Sequence, residues 1–190
     1  MHSDYADIRQ RLWIMGDYAE KQFKAFCEKE GISQISWGFH HPPFRYFPQI
    51  PLVLRGAPDY FCETSLNRFV DIIPNLDPNK RMPPRHFFCE VKGCGRDQIF
   101  KIKDESIDTM LHWQSMTRRP VMLFLYNQAQ HKVSFSVSVD ALSQSLHRFE
   151  MGYFVDRGKE KPFYKLPADD KLMTWEEACA QDGLLTSTDA

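Results

Sequence analysis

Apolar residues recur at helical spacing over two long stretches of the chain. Between residues 5 and 29 they return every three or four positions, which predicts a helix with one apolar face. Gly31 follows as a C-terminal stop, while Gly16 leaves open either one helix with a weak point or two helices. A second helix is predicted over residues 104–116, with Asp104 as its N-cap.

Shorter apolar or alternating runs predict the strands of a sheet. Residues 120–126 are almost continuously apolar, which is typical of a strand buried on both faces. Residues 132–139 alternate apolar with polar side chains, as in a half-buried strand paired to the first. The other predicted strands are 35–39, 52–62, a possible hairpin partner at 69–73, and 87–92.

The order of these elements favours an α/β protein with a mixed central sheet flanked by helices. A proline-rich loop is predicted at 74–84, a short helix at 140–149, and a last helix opened by a capping box at 174–177. With 190 residues, of which 43% are hydrophobic, the chain suits one well-packed domain over residues 1–190.

Two predicted strand ends carry charges that packing does not explain. The first is Gly56-Ala57-Pro58-Asp59, and the second is the run from Phe87 to Glu90-Val91-Lys92. Burying an ionised carboxylate without a partner is costly, whereas two carboxylates beside an ammonium suit a divalent metal ion. Glu90 and Lys92 are two positions apart on a strand, so their side chains should project from the same face.

Asp59 with Glu90-x-Lys92 resembles the signature of the PD-(D/E)xK nuclease superfamily. The resemblance implies an αβββαβ restriction endonuclease-like core over about residues 5–126, with C-terminal strand and helix additions at about 127–190. It also implies Mg²⁺ as the cofactor, which Mn²⁺ can replace. Carboxylates, carbonyls and water are the ligands that Mg²⁺ prefers.

The resemblance also implies a role for each residue of the site. Asp59 and Glu90 would hold the metal together with the backbone carbonyl of Val91. Lys92 would orient the attacking water or help to deprotonate it, and would balance the developing charge. Glu20, on the first helix, would complete the metal shell directly or through water, with Asp17 as the alternative. A fifth catalytic candidate, on the second helix, is Gln114, which would touch a phosphate or the water.

Local charge favours a nucleic-acid substrate although the net charge is only −1. Lysines and arginines cluster between residues 80 and 103, around the proposed site, and such patches matter more than the total charge. The candidate contacts to nucleic acid are Arg96, Lys101, Lys103, Arg118 and Arg119.

The predicted function is a metal-dependent DNA endonuclease. Gly56-x-Pro58-Asp59, followed by Glu90-Val91-Lys92-Gly93 and Trp113-Gln114, is most similar to the small resolvase-like and VRR-type nucleases. Those act on branched or flapped DNA, which suggests recombination, repair or the DNA metabolism of phages and mobile elements. A site-specific Type II restriction enzyme, a nuclease-fold protein that binds without cutting, and a structural protein with a chance motif remain alternatives.

Partners and location follow from the same features. Double-stranded or branched DNA is the expected partner, and a homodimer is expected because cutting both strands usually needs two sites. The five cysteines form no CxxC pair, and neither a signal peptide nor an apolar run near the ~20 residues of a membrane span is evident. We therefore expect an intracellular, cytoplasmic protein with reduced thiols and no membrane contact.

Overall fold

A computed structural model describes residues 2–38, 56–64, 86–156 and 158–168, with the backbone alone at 2–13, 134–136 and 156. The helices are α1 His2–Glu30, α2 Asp104–Thr117, α3 Val139–Ser145 and a 3₁₀ turn at Leu146–Arg148. The strands are β1 Ile32–Ser36, β2 Tyr60–Thr64, β3 His86–Cys94, β4 Ile99–Lys103, β5 Val121–Asn127, β6 Lys132–Ser138, β7 Glu150–Asp156 and β8 Lys159–Pro167.

A five-stranded mixed sheet forms the centre of the fold, which confirms the predicted class. Its order is β1-β2-β3-β5-β6, and only the β3–β5 pair is parallel. The crossover between those two parallel strands carries β4 and α2.

Helices cover both faces of this sheet. Alternate residues of β3 and β5 pack on opposite sides, so that Phe124 joins Phe23 of α1 while Leu123 joins Met110 of α2. Every residue of β5 is buried, as its continuous apolar run predicts.

The boundaries of α1 and α2 agree with the sequence except at one cap, whereas the short helix predicted over 140–149 ends at Ser145 and continues as a 3₁₀ turn. Helix α1 runs unbroken through Gly16, which resolves the open choice in favour of one helix. Gly31 follows it with a φ of 68°, a left-handed conformation that glycine adopts at little cost. Asp104 is the first helical residue of α2 rather than its N-cap, because Lys103 occupies the cap position as the last, still extended residue of β4.

Two strand predictions are displaced. Strand β1 begins three residues earlier than predicted, at Ile32. Strand β2 begins only at Tyr60, so Asp59 precedes a strand instead of ending one. Pro58 has no N–H to offer a strand ladder, so a strand cannot continue regularly through it. Residues 39–55, 65–85 and 169–190 lie outside the described residues. The predicted strand at 69–73, the predicted loop at 74–84 and the predicted capping box at 174–177 belong to these ranges, as do parts of the strands predicted at 35–39 and 52–62.

A second, three-stranded antiparallel sheet was not predicted. Its order is β4-β8-β7, so the hairpin of β7 and β8 returns to pair with the strand that precedes α2. The apolar side chains of β4 and β8 at Phe100, Ile102 and Leu166 belong to the same core as α2. The C-terminal addition is therefore built into the core on the α2 side.

Close approach of α1 to β3 depends on Gly93. A Cβ at this position would stand 3.0 Å from the backbone oxygen of Met15 and 3.2 Å from the Cβ of Ala19. The helix lies so close to the strand that a side chain at residue 93 would force it to shift. This contact brings the next turn of α1, with Glu20, to the end of β3.

Two glycine substitutions should have opposite effects on stability. Gly93→Val should lower the free energy of unfolding by about 1–3 kcal/mol, because the added methyl groups overpack the helix–strand contact. Gly16→Ala should raise it by up to about 1 kcal/mol, because nothing lies within 4 Å of its would-be Cβ and alanine favours the helix. Urea unfolding of the two variants beside the unmodified chain measures both. Equal stability of all three would contradict the packing of α1 on β3.

Candidate active site

Strand β3 continues past the start of β2, and among the described residues this leaves one edge of it open. The pair of Tyr60 with Cys89 is where the β2–β3 ladder ends, whereas the pairing with β5 continues as far as Cys94. At the open edge the Asp59 carboxylate accepts a hydrogen bond from the backbone N–H of Val91, with Oδ2 2.7 Å from the nitrogen. A side chain thus replaces a strand partner, and it carries a charge to this edge.

The position of Asp59 is fixed from its backbone as well. Its carbonyl oxygen accepts hydrogen bonds from the backbone N–H groups of Trp37, at 2.8 Å, and Gly38, at 3.2 Å. Only 4% of the residue is exposed. Gly56, three residues earlier, packs against Thr109 of α2 so closely that a Cβ there would collide with the threonine side chain. The Gly56–Asp59 segment is therefore held between the sheet and α2.

Glu90 and Lys92 project from the same side of β3 and form an ion pair. Side-chain exposure is 13% for Glu90 and 34% for Lys92, so the pair is partly shielded from solvent. A pair in such surroundings is screened less than one in open solvent. The Glu90 carboxylate is thereby held beside the ammonium that sequence analysis assigned to catalysis.

Three carboxylates act on the Lys92 ammonium. Burial by itself lowers the pKa of this group, but the charges of Glu90 and Asp59, the hydrogen bond to Glu90 and the charge of Glu20 outweigh it. The pKa of Lys92 consequently lies above its ordinary value. In this arrangement Lys92 is a cation that donates hydrogen bonds, which favours orienting water or phosphate over accepting a proton.

Glu20 is bound to the strand that follows Asp59. Its Oε2 accepts a hydrogen bond from the hydroxyl of Tyr60, with the two oxygens 2.6 Å apart. Tyr60 is fully buried, and its ring lies 5.0 Å from that of Phe23. Burial, the hydrogen bond to Glu20 and the charges of Glu20 and Asp59 raise the pKa of Tyr60, so the tyrosine stays a donor. Sequence analysis missed this residue, although a buried tyrosine needs a partner for its hydroxyl.

Three of the proposed catalytic side chains, those of Glu20, Asp59 and Lys92, line one cavity of about 670 Å³. This volume is within the range of ordinary ligand sites. Glu20, Asp59, Val91 and Lys92 line it, and Asp17 is not among its described lining residues. The remaining lining residues are Met15, Gly16, Gly93, Cys94, Gly95, Arg96, Asp97, Ile99 and Lys101. The structure therefore brings together Asp59, Lys92 and Glu20, with Glu90 joined through its ion pair to Lys92.

Gln114 does not reach this cavity in the described part of the chain. Its amide nitrogen donates to the carboxylate of Asp140, and its amide oxygen accepts from the backbone N–H of Val121 at 3.0 Å. The side chain thus ties α2 to α3 and to the first residue of β5. These contacts assign Gln114 a structural role, and its contact with phosphate or water stays a prediction.

The arginines after α2 also lie apart from the cavity-lining residues. Arg118 and Arg119 are exposed, and Arg118 ends the helix with a φ of 53°. By contrast Arg96 and Lys101 line the cavity, while Lys103 lies on the second sheet with its Nζ 5.2 Å from the ring centre of Phe154. Contacts of these residues with nucleic acid stay predictions.

The donor atoms at the cavity fit a hard cation only in part. Asp59 and Glu90 offer carboxylates and Val91 a carbonyl, and Mg²⁺ is usually bound by one or two carboxylates together with water and substrate phosphates. No group of three or more His, Cys, Asp or Glu side chains able to share one ion is present in the described residues. Glu20 therefore does not join Asp59 and Glu90 in a three-acid cluster.

Replacing Tyr60 by phenylalanine tests the contact with Glu20. Tyr60→Phe should lower the free energy of unfolding by about 1–2 kcal/mol at pH 7, because it removes a partly buried hydrogen bond to a carboxylate. Since folding raises the pKa of Tyr60, its contribution is complete below pH ~10 and is lost as the pH rises above that value. Urea unfolding at pH 7 and pH 11 should show the difference between the two proteins shrinking at high pH. A difference that is zero at pH 7 would contradict the contact.

Comparisons with protein-family models, with curated proteins and with solved structures find no match for this chain. Among the described residues, no helix has the length and apolar character needed to span a membrane.

Proposed function

We propose that this chain is a metal-dependent DNA endonuclease with a PD-(D/E)xK-type site and a restriction endonuclease-like core. The observation that carries the proposal is the cavity at the open edge of β3, where Asp59 and Lys92 meet and Glu90 pairs with Lys92. Packing alone gives no reason to gather three carboxylates around one lysine at a strand end.

The order of elements supports the same proposal. Helix α1, strands β1, β2 and β3, helix α2 and strand β5 follow one another as the αβββαβ order requires, with β4 inserted before α2. The open edge of β3 lies where the β2–β3 ladder ends, so the acid before β2 and the Glu-x-Lys of β3 fall side by side.

Each residue then has a task that its contacts suit. Asp59 and Glu90, with the Val91 carbonyl, would hold a divalent cation, which polarises the phosphate and makes a bound water more acidic. Lys92 would donate hydrogen bonds to the water or to a phosphate oxygen and offset the negative charge that builds up in the transition state. Glu20, anchored by Tyr60, would act through water rather than as a third ligand in the same group.

The experiment that tests the proposal is a cleavage screen over substrate shapes. Purified protein is incubated with plasmid, flapped and four-way branched DNA, single-stranded DNA and RNA, each with Mg²⁺, Mn²⁺ or EDTA. We expect cleavage of DNA with either metal, with branched or flapped DNA cut fastest. Binding without cleavage under every metal would overturn the nuclease assignment and favour a non-cleaving nucleic-acid-binding protein.

A further inference from the structure

The outer face of the second sheet collects lysines. Phe100 and Ile102 on β4 and Leu166 on β8 point inward and are buried. Because side chains alternate along a strand, the intervening residues point outward. These outward residues are Lys101 and Lys103 on β4 and Lys159, Lys161, Phe163 and Lys165 on β8, and with Phe154 of β7 they form what we call the lysine face.

Two aromatic rings lie among these lysines. The rings of Phe154 and Phe163 are 6.1 Å apart, and the Nζ of Lys103 is 5.2 Å from the centre of the Phe154 ring. A Cβ on Gly152 would stand 2.6 Å from Cζ of Phe163, so the ring lies across a position that only glycine leaves open. Both phenylalanines are partly exposed.

Exposed carboxylates hold three of the lysines. Lys101 pairs with Asp97 at 2.9 Å, Lys161 with Glu105 at 2.9 Å and Lys165 with Glu150 at 2.5 Å. Each carboxylate side chain is between 45% and 73% exposed, and ion pairs this open to solvent contribute little to stability. The lysines can therefore exchange a carboxylate for a phosphate at low cost.

The lysine face begins at the candidate active site. Lys101 and its neighbour Ile99 line the cavity that also holds Lys92. Outward side chains on one strand are about 7 Å apart, which is close to the distance between successive phosphates of an extended nucleic-acid strand. Lysines at this spacing beside aromatic rings are the combination that binds single strands without sequence preference.

We propose that the lysine face binds one DNA strand, in single-stranded form, as it leaves the cavity. Lysine ammonium groups contact the phosphates, and Phe154 and Phe163 contact the bases. The nature of this ligand rests on the proposed nuclease function. The face extends the predicted contacts of Lys101 and Lys103 to a second strand of the sheet and to aromatic residues.

The test measures binding in EDTA, so that it does not depend on cleavage. A fluorescent oligothymidine strand and a duplex of equal length are titrated with the full chain at several salt concentrations. The first variant, Lys103→Gln/Lys161→Gln/Lys165→Gln, should bind the single strand at least tenfold more weakly, with a salt slope smaller by about 2. Phe163→Leu should bind it about tenfold more weakly with an unchanged slope, because it removes stacking and no charge.

A matched control removes three exposed lysines elsewhere. Lys21→Gln/Lys29→Gln/Lys132→Gln should bind the single strand as the unmodified chain does, and circular dichroism should show all variants folded. If the face variants bind like the control, or if duplex binds as tightly as single strand, the proposal that the lysine face binds single-stranded DNA is wrong. That result does not contradict the nuclease function if the unmodified chain cuts DNA. If the unmodified chain cuts no DNA but binds single strands through the lysine face, the nuclease function is contradicted and the binding proposal is supported.

Discussion

Lys92→Met should lower the rate of DNA cleavage by about 10³-fold. The substitution keeps most of the length of the side chain but removes the ammonium that lines the cavity beside Glu90 and Asp59. Loss of one preorganised donor to a developing negative charge typically lowers rates by about 10²–10³-fold. Single-turnover cleavage of a labelled DNA with enzyme in excess measures the chemical step.

Two further variants separate chemistry from stability. Lys92→Met also leaves Glu90 without its ion pair, so the free energy of unfolding should fall by about 1 kcal/mol, a small loss because the lysine is one-third exposed. Lys92→Arg keeps the positive charge and should retain most of the stability, yet still cut slowly, because arginine places its donors differently. Lys29→Met, at the exposed end of α1, should match the unmodified chain. Normal cleavage by Lys92→Met would contradict the assigned role.

Two substitutions of Asp59 should separate its contribution to stability from its contribution to cleavage. Asp59→Ala leaves the backbone N–H of Val91 without its acceptor in a buried position, so the free energy of unfolding should fall by about 1–3 kcal/mol. Asp59→Asn keeps an oxygen for this hydrogen bond and should retain most of the stability. Both variants remove the charge that would hold the metal, so both should lose cleavage by about 10²-fold or more.

Urea unfolding and cleavage assays on the same preparations test this division. The account expects Asp59→Asn to be stable and inactive, and Asp59→Ala to be less stable and inactive. An asparagine variant that cuts at the normal rate would show that the carboxylate charge has no part in the reaction. An alanine variant as stable as the unmodified chain would contradict the hydrogen bond to Val91.

Elements with strong local signals could be predicted from the sequence. Helix α2 was placed over residues 104–116 and spans Asp104–Thr117, and β5 was placed over 120–126 and spans Val121–Asn127. Each combines a clear apolar pattern with a clear boundary, such as Pro120 before β5. Strand β3 was likewise found, because its apolar run ends in an isolated Glu-x-Lys.

The second sheet could not be predicted in the same way. Strand β4 alternates Phe100 and Ile102 with lysines, and in the sequence this short run indicates only a basic patch. Its partner β8 lies about 60 residues later, so the pairing depends on tertiary contacts that no local pattern encodes. The strand predicted over 52–62 also runs through Pro58, which has no N–H to offer a strand ladder, whereas β2 begins only at Tyr60.

Some residues of the candidate site could likewise be predicted from the sequence, whereas others depend on tertiary packing. Residues chosen for their chemistry at strand ends, Asp59, Glu90 and Lys92, are brought together by the register of β2 and β3. Gln114 was chosen from its helix alone, and the way α2 crosses the sheet turns its amide to Val121 and Asp140. The contact of Glu20 with Tyr60 depends on the close packing of α1 at Gly93, which a single sequence does not reveal.

Metal dependence of strand cleavage by the unmodified chain tests the central claim most directly. Branched or flapped DNA is incubated with protein and increasing Mg²⁺, in parallel with Mn²⁺, with EDTA and with the Asp59→Asn variant. The account predicts cleavage that rises with Mg²⁺, persists with Mn²⁺, stops in EDTA and is lost in Asp59→Asn. Cleavage that survives EDTA, or that Asp59→Asn performs equally well, would contradict it.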